Sequence, residues 1–201
     1  MTAPDESSSE TARGVLSFRP IEVADAKTLL DWRTRPDIAR WSFTEIEYDL
    51  DRQKAWIERS AAKPGFAHRM MCVDGQPVGY SSISVTDEKS RVGTIGVYIA
   101  DTDSRRIAVM NFVPTLNHAF FTMNLNKIVN QIIAGNRRLL KAQAFNGYRE
   151  VGVLREHALK DGVYWDVHLF EQLRSDWGRF REKFKNYRDF DGVERPWTNN
   201  R

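Results

Sequence analysis

Two Asp-Gly pairs, Asp74-Gly75 and Asp161-Gly162, each separate two runs of strand-forming residues. Because Asp-Gly readily adopts the positive backbone angles of a two-residue turn, it is the strongest short-range signal for a β-hairpin. The first pair joins HRMMCV (68–73) to PVGYSSISV (77–85), and the second joins the longer runs 148–160 and 163–173. Much of the sheet must therefore be built from antiparallel pairs.

The remaining segments alternate between the two periodicities of strands and helices. Apolar alternation or β-branched runs predict three more strands, at 16–22, 91–100 and 126–135. Helical spacing predicts helices at 24–33, 37–41, 50–62, 107–123 and 136–145. This order predicts an α/β fold, a three-layer α-β-α domain around a mixed, mostly antiparallel central sheet.

The chain's length and charge narrow the function classes. A length of 201 residues fits one domain, and a net charge of +3 is too small to indicate nucleic-acid binding. No apolar run approaches the roughly 18 residues needed to span a membrane, and no metal-ligand cluster is evident. The lone Cys72 forms no internal disulfide, which predicts a cytoplasmic protein. We expect a disordered tail at 1–14, one domain at 15–175 and a helical extension at 176–201.

Three stretches carry more specific information than the order of elements. They are NLNKIVNQIIAGNRRLLKAQAFNGY (124–148), REVGVLREHALKDGVYWDVHLFEQLRSDW (149–177) and DWRTRPDIARWSFTE (31–45). Together with the element order, they make the chain resemble the GNAT superfamily of acetyl-CoA-dependent N-acyltransferases over roughly residues 16 to 177. The similarity is greatest to the branches that act on nucleotide-linked amino sugars and on ribosomal-protein N-termini.

The resemblance implies where acetyl-CoA would bind. In the family the fourth and fifth strands part, and the pantetheine arm of CoA pairs with the exposed main chain. The donor groups would lie on Val97, Tyr98 and Ile99, and one N–H would polarise the thioester carbonyl. The pyrophosphate would sit at the N-terminus of the next helix, where free amides favour anions.

The loop before that helix departs from the family pattern (R/Q)-x-x-G-x-(G/A). Ser104 and Arg106 stand in place of the glycines, Arg105 lies between them, and Ile107-Ala108 matches the pair that follows. Three interpretations stay open. The amides still hold the phosphates with help from the arginines, or the donor is another thioester such as an acyl carrier protein, or the fold has become a non-catalytic binding module.

Two further departures bear on the chemistry. Pro114 interrupts the helix predicted at 107–123, so the anion site depends on whether that helix begins near Arg105 or near Val113. Gln143 stands where the family often has a tyrosine that protonates the leaving thiolate. An amide is no acid, so the proton would come from water or another group.

The amine side supplies the remaining candidates. We expect His157 to take the proton of the amine, and the resemblance gives Asn136 a role at the pantetheine, with a simple helix cap as the alternative. Residues expected at the acceptor are Arg40, Trp41, Glu45 and Tyr80. The predicted function is transfer of acetyl from acetyl-CoA to a primary amine, foremost that of a nucleotide-linked amino sugar, by a metal-free enzyme that forms a homodimer. The alternative acceptor is a protein N-terminus.

Overall fold

The computed structural model describes residues 14–61 and 63–184. Residues 1–13 of the expected tail and 185–201 of the expected extension lie outside this range. The strands are β1 (Leu16–Pro20), β2 (Phe66–Val73), β3 (Gln76–Asp87), β4 (Val92–Ile99), β5 (Lys127–Ile133), β6 (Arg149–Lys160) and β7 (Val163–Leu173). The helices are α1 (Ala26–Thr34), α2 (Pro36–Ala39), α3 (Leu50–Ala61), α4 (Arg105–Ala108), α5 (Phe112–Asn117), α6 (Arg137–Phe145) and α7 (Arg174–Phe180).

The strands form one mixed sheet in the order β1-β2-β3-β4-β5-β7-β6, which confirms the predicted fold class. Both Asp-Gly turns have positive φ at both residues, 51° and 79° at Asp74-Gly75 and 51° and 74° at Asp161-Gly162. All adjacent strands pair antiparallel except β4 and β5, which are parallel.

The parallel pair is short. Val92 pairs with Lys127 and Gly93 with Ile128, and no further residue of β4 pairs with β5. Beyond this pair β4 continues to Ile99 and β5 to Ile133, with no main-chain pairing between the two strands. The sheet therefore opens into a wedge toward the carboxyl ends of these two strands.

Helices cover both faces of the sheet, and each face has its own core. On one face, α1 and α3 pack their buried Leu29 and Ile57 against Met70 and Cys72 of β2. On the other face, α5 and α7 bury the largest cluster, which includes Phe112, Phe120, Ile128, Phe170 and Trp177. Both cores consist of buried apolar side chains that hold the helices against the sheet.

The segment after β4 is broken rather than one helix over 107–123. The α-helical turn α4 begins at Arg105, a 3-10 turn follows at Val109–Asn111, and α5 is succeeded by a π-helical turn at His118–Thr122. Pro114 explains the interruption, because it has no N–H to donate to the carbonyl of Met110. Of the two alternative starts, the helical segment begins at the earlier one, Arg105, and its second α-helical part begins at Phe112.

Candidate active site

The main chain of β4 lines one side of the wedge. The N–H of Ile95 points toward β5, where it donates to Asn130 Oδ1 at 3.0 Å, while the N–H of Ala100 points the other way, to Val78 O at 2.8 Å. Since N–H directions alternate along a strand, those of Val97 and Ile99 face the wedge, and that of Tyr98 faces β3. Two of the three expected main-chain donors therefore face the opening.

The loop that follows β4 holds a residue that the sequence did not single out. One carboxylate oxygen of Asp101 accepts the main-chain N–H of Ser104 at 2.9 Å, and the other accepts that of Asp103 at 3.3 Å. The pKa of Asp101 lies below its usual value, chiefly because Ser104 donates hydrogen bonds from its side chain and its amide. The negatively charged carboxylate of Asp101 is therefore hydrogen-bonded to main-chain amides at the N-terminus of α4. The D-T-D-S spacing, an acid three residues before an amide donor, is the local signal for such a cap.

Residues 105–108 divide between the wedge mouth and the core. Ala108 is fully buried, and Ile107 packs beside it against Val97 and Ile99 from the sheet. Arg106 is exposed and Arg105 half-buried. Their guanidinium groups make no hydrogen bond or ion pair within the described residues. The apolar pair anchors the turn, and the arginines are left at its surface.

The helix at the end of β5 begins with a side-chain cap. Asn136 Oδ1 accepts the main-chain N–H of Leu139 at 3.2 Å, as a helix cap does. Arg137 and Arg138, which follow, are exposed. Because β4 and β5 run parallel, this start and that of α4 flank the same end of the wedge.

Gln143 lies buried within α6, with 5% of its surface exposed. Its side-chain oxygen, Oε1, has no hydrogen-bond partner among residues 14–61 and 63–184. A neutral amide at this position donates hydrogen bonds but supplies no proton.

An aromatic cluster covers the α1-side face of β2, β3 and β4 beside the wedge. Tyr80 stacks on Tyr98, its cross-strand neighbour, with ring centroids 5.3 Å apart, and Trp32 meets Tyr98 edge-on. His68 Nδ1 lies 2.6 Å from the Tyr80 hydroxyl. Burial raises the pKa of Tyr80 to about 12 and lowers that of His68, so both groups are neutral near pH 7.

Trp41 marks the other side of the wedge mouth. Its indole and that of Trp165 both lie against Gly135, where an added Cβ would approach each ring to 2.9 Å. The Arg40 guanidinium lies over the Trp41 ring, 4.5 Å from the centroid. Two of the expected acceptor residues are therefore together at the end of β5.

The loop between α2 and α3 is tied down by charged side chains. Lys160 Nζ, on a side chain with only 10% exposure, donates to Glu45 Oε1 at 3.0 Å. Arg33 donates to the carbonyl and hydroxyl of Thr44, and Arg35 to the carbonyl of Ala100 at 2.8 Å. Glu45 is thus engaged in an ion pair.

The two histidines of the final hairpin have different surroundings. His157 lies between Leu154 and Ala158, where the pairing of β6 with β7 shifts register and Glu156 has a φ of 51°, so the alternation of faces does not fix the direction of its side chain. His157 is exposed, and no described residue forms a hydrogen bond with its ring. His168 lies 2.6 Å from Glu150 and stacks on Phe170, on the face opposite to that of its neighbour Val167. Of the residues expected on the amine side, the structure thus places Arg40 over Trp41, Glu45 against Lys160, Tyr80 in the aromatic cluster with Tyr98, and His157 in the irregular stretch of β6.

The described residues hold neither a metal-ligand group nor a membrane-spanning helix. Over 14–61 and 63–184, no three His, Cys, Asp or Glu side chains are grouped so that they could hold a metal ion. No helix of that part of the chain has the length and apolar character needed to cross a membrane.

Comparison with known proteins identifies relatives of similar architecture. A family model described as "Acetyltransferase (GNAT) domain" matches residues 16–149. The L-amino acid N-acetyltransferase AaaT of Escherichia coli (strain K12) is 23% identical over 160 residues, which are 78% of this chain and 97% of that protein.

Solved structures extend the comparison to the fold. The spermidine N-acetyltransferase of Vibrio cholerae in complex with CoA and spermine superimposes with a TM-score of 0.76 at 19% identity, over 81% of this chain and 97% of that one. A dodecameric structure of the Vibrio cholerae enzyme gives 0.70 at 19% identity, over 81% and 95% of the two chains.

Proposed function

Because the chain belongs to the GNAT acetyltransferase family and is a CoA-dependent N-acyltransferase, we propose that it transfers acetyl from acetyl-CoA to a primary amine by direct attack. The observation that carries the proposal is the parting of β4 from β5 after Gly93 and Ile128. It leaves main-chain groups of Val97 and Ile99 unpaired at the place where an extended amide-bearing arm would add like a strand.

The residues around the wedge fit such a donor in part. The amide groups of the pantetheine arm would pair with Val97 and Ile99, and an N–H there would stabilise negative charge on the thioester oxygen. Arg105, Arg106 and the arginines that open α6 would face the phosphates as charge-assisted donors. Asp101 does not fit this role.

For the acceptor we propose an amine on a molecule that also carries a negative charge. Arg33, whose guanidinium is half-buried near Tyr80 and Tyr98, and Arg40 at Trp41 support an anionic group there. A nucleotide-linked amino sugar fits this description. Exposed Phe43, Ile46 and Tyr48 on the adjoining loop offer an apolar surface to a nucleobase.

An amino acid is the second candidate acceptor, since its carboxylate would suit the same arginines. The similarity to a curated L-amino acid N-acetyltransferase favours it. A polyamine carries only positive charges, so the arginines of this surface would repel it rather than bind it. A protein N-terminus remains the further alternative.

Proton removal from the amine is assigned to His157 on sequence grounds, with solvent as the competing route. The His157→Gln variant separates them. A fall in kcat of about 100-fold or more supports the histidine. An unchanged pH profile assigns the proton to water in the wedge, because Glu45 is engaged by Lys160.

Two assays test the proposal itself. Calorimetric titration of acetyl-CoA into the full chain should give saturable heat, and mass spectrometry should detect acetylated product from one member of an amine panel. The panel comprises a nucleotide-linked amino sugar, amino acids, spermidine and a peptide with a free N-terminus. No binding of acetyl-CoA at millimolar concentration by folded protein rejects the donor.

A cytoplasmic location and a homodimer belong to the same proposal. The lone, buried Cys72 fits a reducing compartment. Among residues 14–61 and 63–184 the sheet ends at β6, whose outer edge has no partner strand there, and the side chains of Val151, Val153 and Leu159 on this strand are 41%, 44% and 55% exposed. A second copy of the chain would cover this apolar edge.

A further inference from the structure

Hydrogen bonds of both its main chain and its side chain hold Asp101 in place. Its main-chain N–H donates to Val78 O at 3.0 Å, which fixes it to β3, and its two oxygens accept the amides of Ser104 and Asp103. It therefore occupies, as an anion, donors that a phosphate would otherwise use.

Most other amides of this turn are also taken. The N–H of Arg105 faces Thr102 O at 3.4 Å, and those of Ile107 and Ala108 donate to Ser104 O at 3.0 and 2.9 Å. From Asp103 to Ala108, only the amide of Arg106 has no partner within the described residues. A diphosphate entering this turn would meet one open amide and a fixed negative charge.

Cationic side chains lie around that charge. Arg105 and Arg106 stand on α4, and Arg137 and Arg138 open α6 at the same end of the wedge. None of the four guanidinium groups has an ion-pair partner within the described residues. Attraction for a phosphate here resides in the arginine side chains, whereas all the main-chain amides from Asp103 to Ala108 except that of Arg106 already have partners.

We propose that Asp101 is a built-in competitor for the diphosphate of the acyl donor, so that this enzyme holds its donor mainly by the pantetheine arm and the arginine side chains. The inference rests on the proposed function, because it concerns the same wedge. It predicts an enzyme that discriminates weakly between CoA and donors with a shorter phosphate portion, such as phosphopantetheine.

The experiment compares two neutralising substitutions, Asp101→Asn and Asp103→Asn. Asparagine at position 101 keeps one accepting oxygen, which can retain the shorter bond from the Ser104 N–H, so the charge is removed with the loss of only the longer bond from the Asp103 N–H. Asp103 is the matched control, because in the described part of the chain its carboxylate accepts only from Thr102 Oγ1, at 3.5 Å, and from no amide. Dissociation constants for CoA, phosphopantetheine and pantetheine are measured by calorimetry for all three proteins.

We expect Asp101→Asn to tighten CoA about tenfold and to leave pantetheine, which carries no phosphate, within about twofold. Asp103→Asn should change CoA by no more than about threefold, as a more distant charge does. Asp101→Ser, which also keeps a capping oxygen, should reproduce the gain if the asparagine variant is poorly folded.

An equal gain in CoA affinity in both asparagine variants would overturn the inference. It would show that the gain comes from the change in net charge and not from the position of Asp101. An unchanged or weaker CoA affinity in Asp101→Asn would overturn the inference too. If the wild type binds no CoA and Asp101→Asn does, the competitor role stands and the proposed donor falls. If neither protein binds CoA or pantetheine, both ideas fail.

Discussion

The side-chain oxygen of Asn130 on β5 accepts the main-chain N–H of Ile95 on β4 at 3.0 Å, two residues beyond the last main-chain pair between these strands. It also accepts from Thr94 Oγ1 at 3.3 Å. One buried amide side chain thus takes the place of the next main-chain bond. The wedge begins where this side chain spans the gap.

Replacing Asn130 with alanine should destabilise the fold and weaken donor binding together. The variant leaves the Ile95 N–H without its partner, which costs about 1–3 kcal/mol of unfolding free energy. Urea denaturation measures this, and the KM for acetyl-CoA should rise severalfold. Gln131→Ala, on the exposed neighbour, is the control and should change neither. Normal KM in the Asn130→Ala protein would mean that the bridge does not shape the site.

Replacing Gln143 with methionine should stabilise the protein. The substitution keeps volume and removes a buried oxygen that lacks a partner, so we expect a gain of about 1 kcal/mol in unfolding free energy. The pH dependence of kcat should keep its shape, because an amide does not titrate. A lost or shifted limb in the methionine variant would show that Gln143 positions a titrating group.

Removing Glu45 from its ion pair with Lys160 should destabilise the protein more than removing Lys160. The lysine side chain is 10% exposed and the glutamate side chain 79%, so Glu45→Ala leaves a nearly buried ammonium unpaired. We expect the free energy of unfolding of Glu45→Ala to fall by about 1 kcal/mol, a modest loss because solvent surrounds the glutamate. Lys160→Met should lower it by less. Acceptor KM should rise in Glu45→Ala, because the loop loses its tie. Glu47→Ala, two residues along the same exposed loop, is the control.

Acid should destabilise the protein through His68. Burial lowers its pKa in the folded state, so the unfolded chain binds the proton more readily. Stability is unaffected above the unfolded pKa of about 6.5 and falls as the pH drops from there to the folded pKa. Urea unfolding at pH 7.5 and 5.5 measures the loss, which should shrink in His68→Gln. An identical pH dependence in both proteins would contradict this role.

The exposed edge of β6 predicts self-association. Val153→Lys places a charge on that edge and should shift the oligomer toward the monomer in light scattering, since edge lysines oppose strand pairing. Arg59→Glu, on the exposed surface of α3, should leave the oligomer unchanged. A wild-type protein that is monomeric at high micromolar concentration would refute the dimer.

Local patterns in the sequence were sufficient to predict the sheet but not the site. Alternation and the Asp-Gly turns depend on neighbouring residues, so the strands and the antiparallel pairs could be predicted. The bond from Lys160 to Glu45 joins residues 115 apart, and the stack of Tyr80 on Tyr98 depends on the register of β3 against β4. No local sequence pattern indicates either contact. The sequence could not indicate the direction of the His157 side chain, because Leu154 and Ala158 flank an irregular stretch of β6 in which the alternation of faces breaks down.

The 3-10 turn ahead of Pro114 divides the segment after β4 into two parts that pack in different places. The turn from Arg105 to Ala108 is seated on the sheet through Ala108, whereas α5 is seated in the large core through Phe112, Val113 and Leu116. The two are joined by a 3-10 turn at Val109–Asn111. The arginines therefore belong to a turn that rests on the sheet, whereas α5 rests on the large core, and substitutions in that core reach the entrance for the donor only through the joining turn.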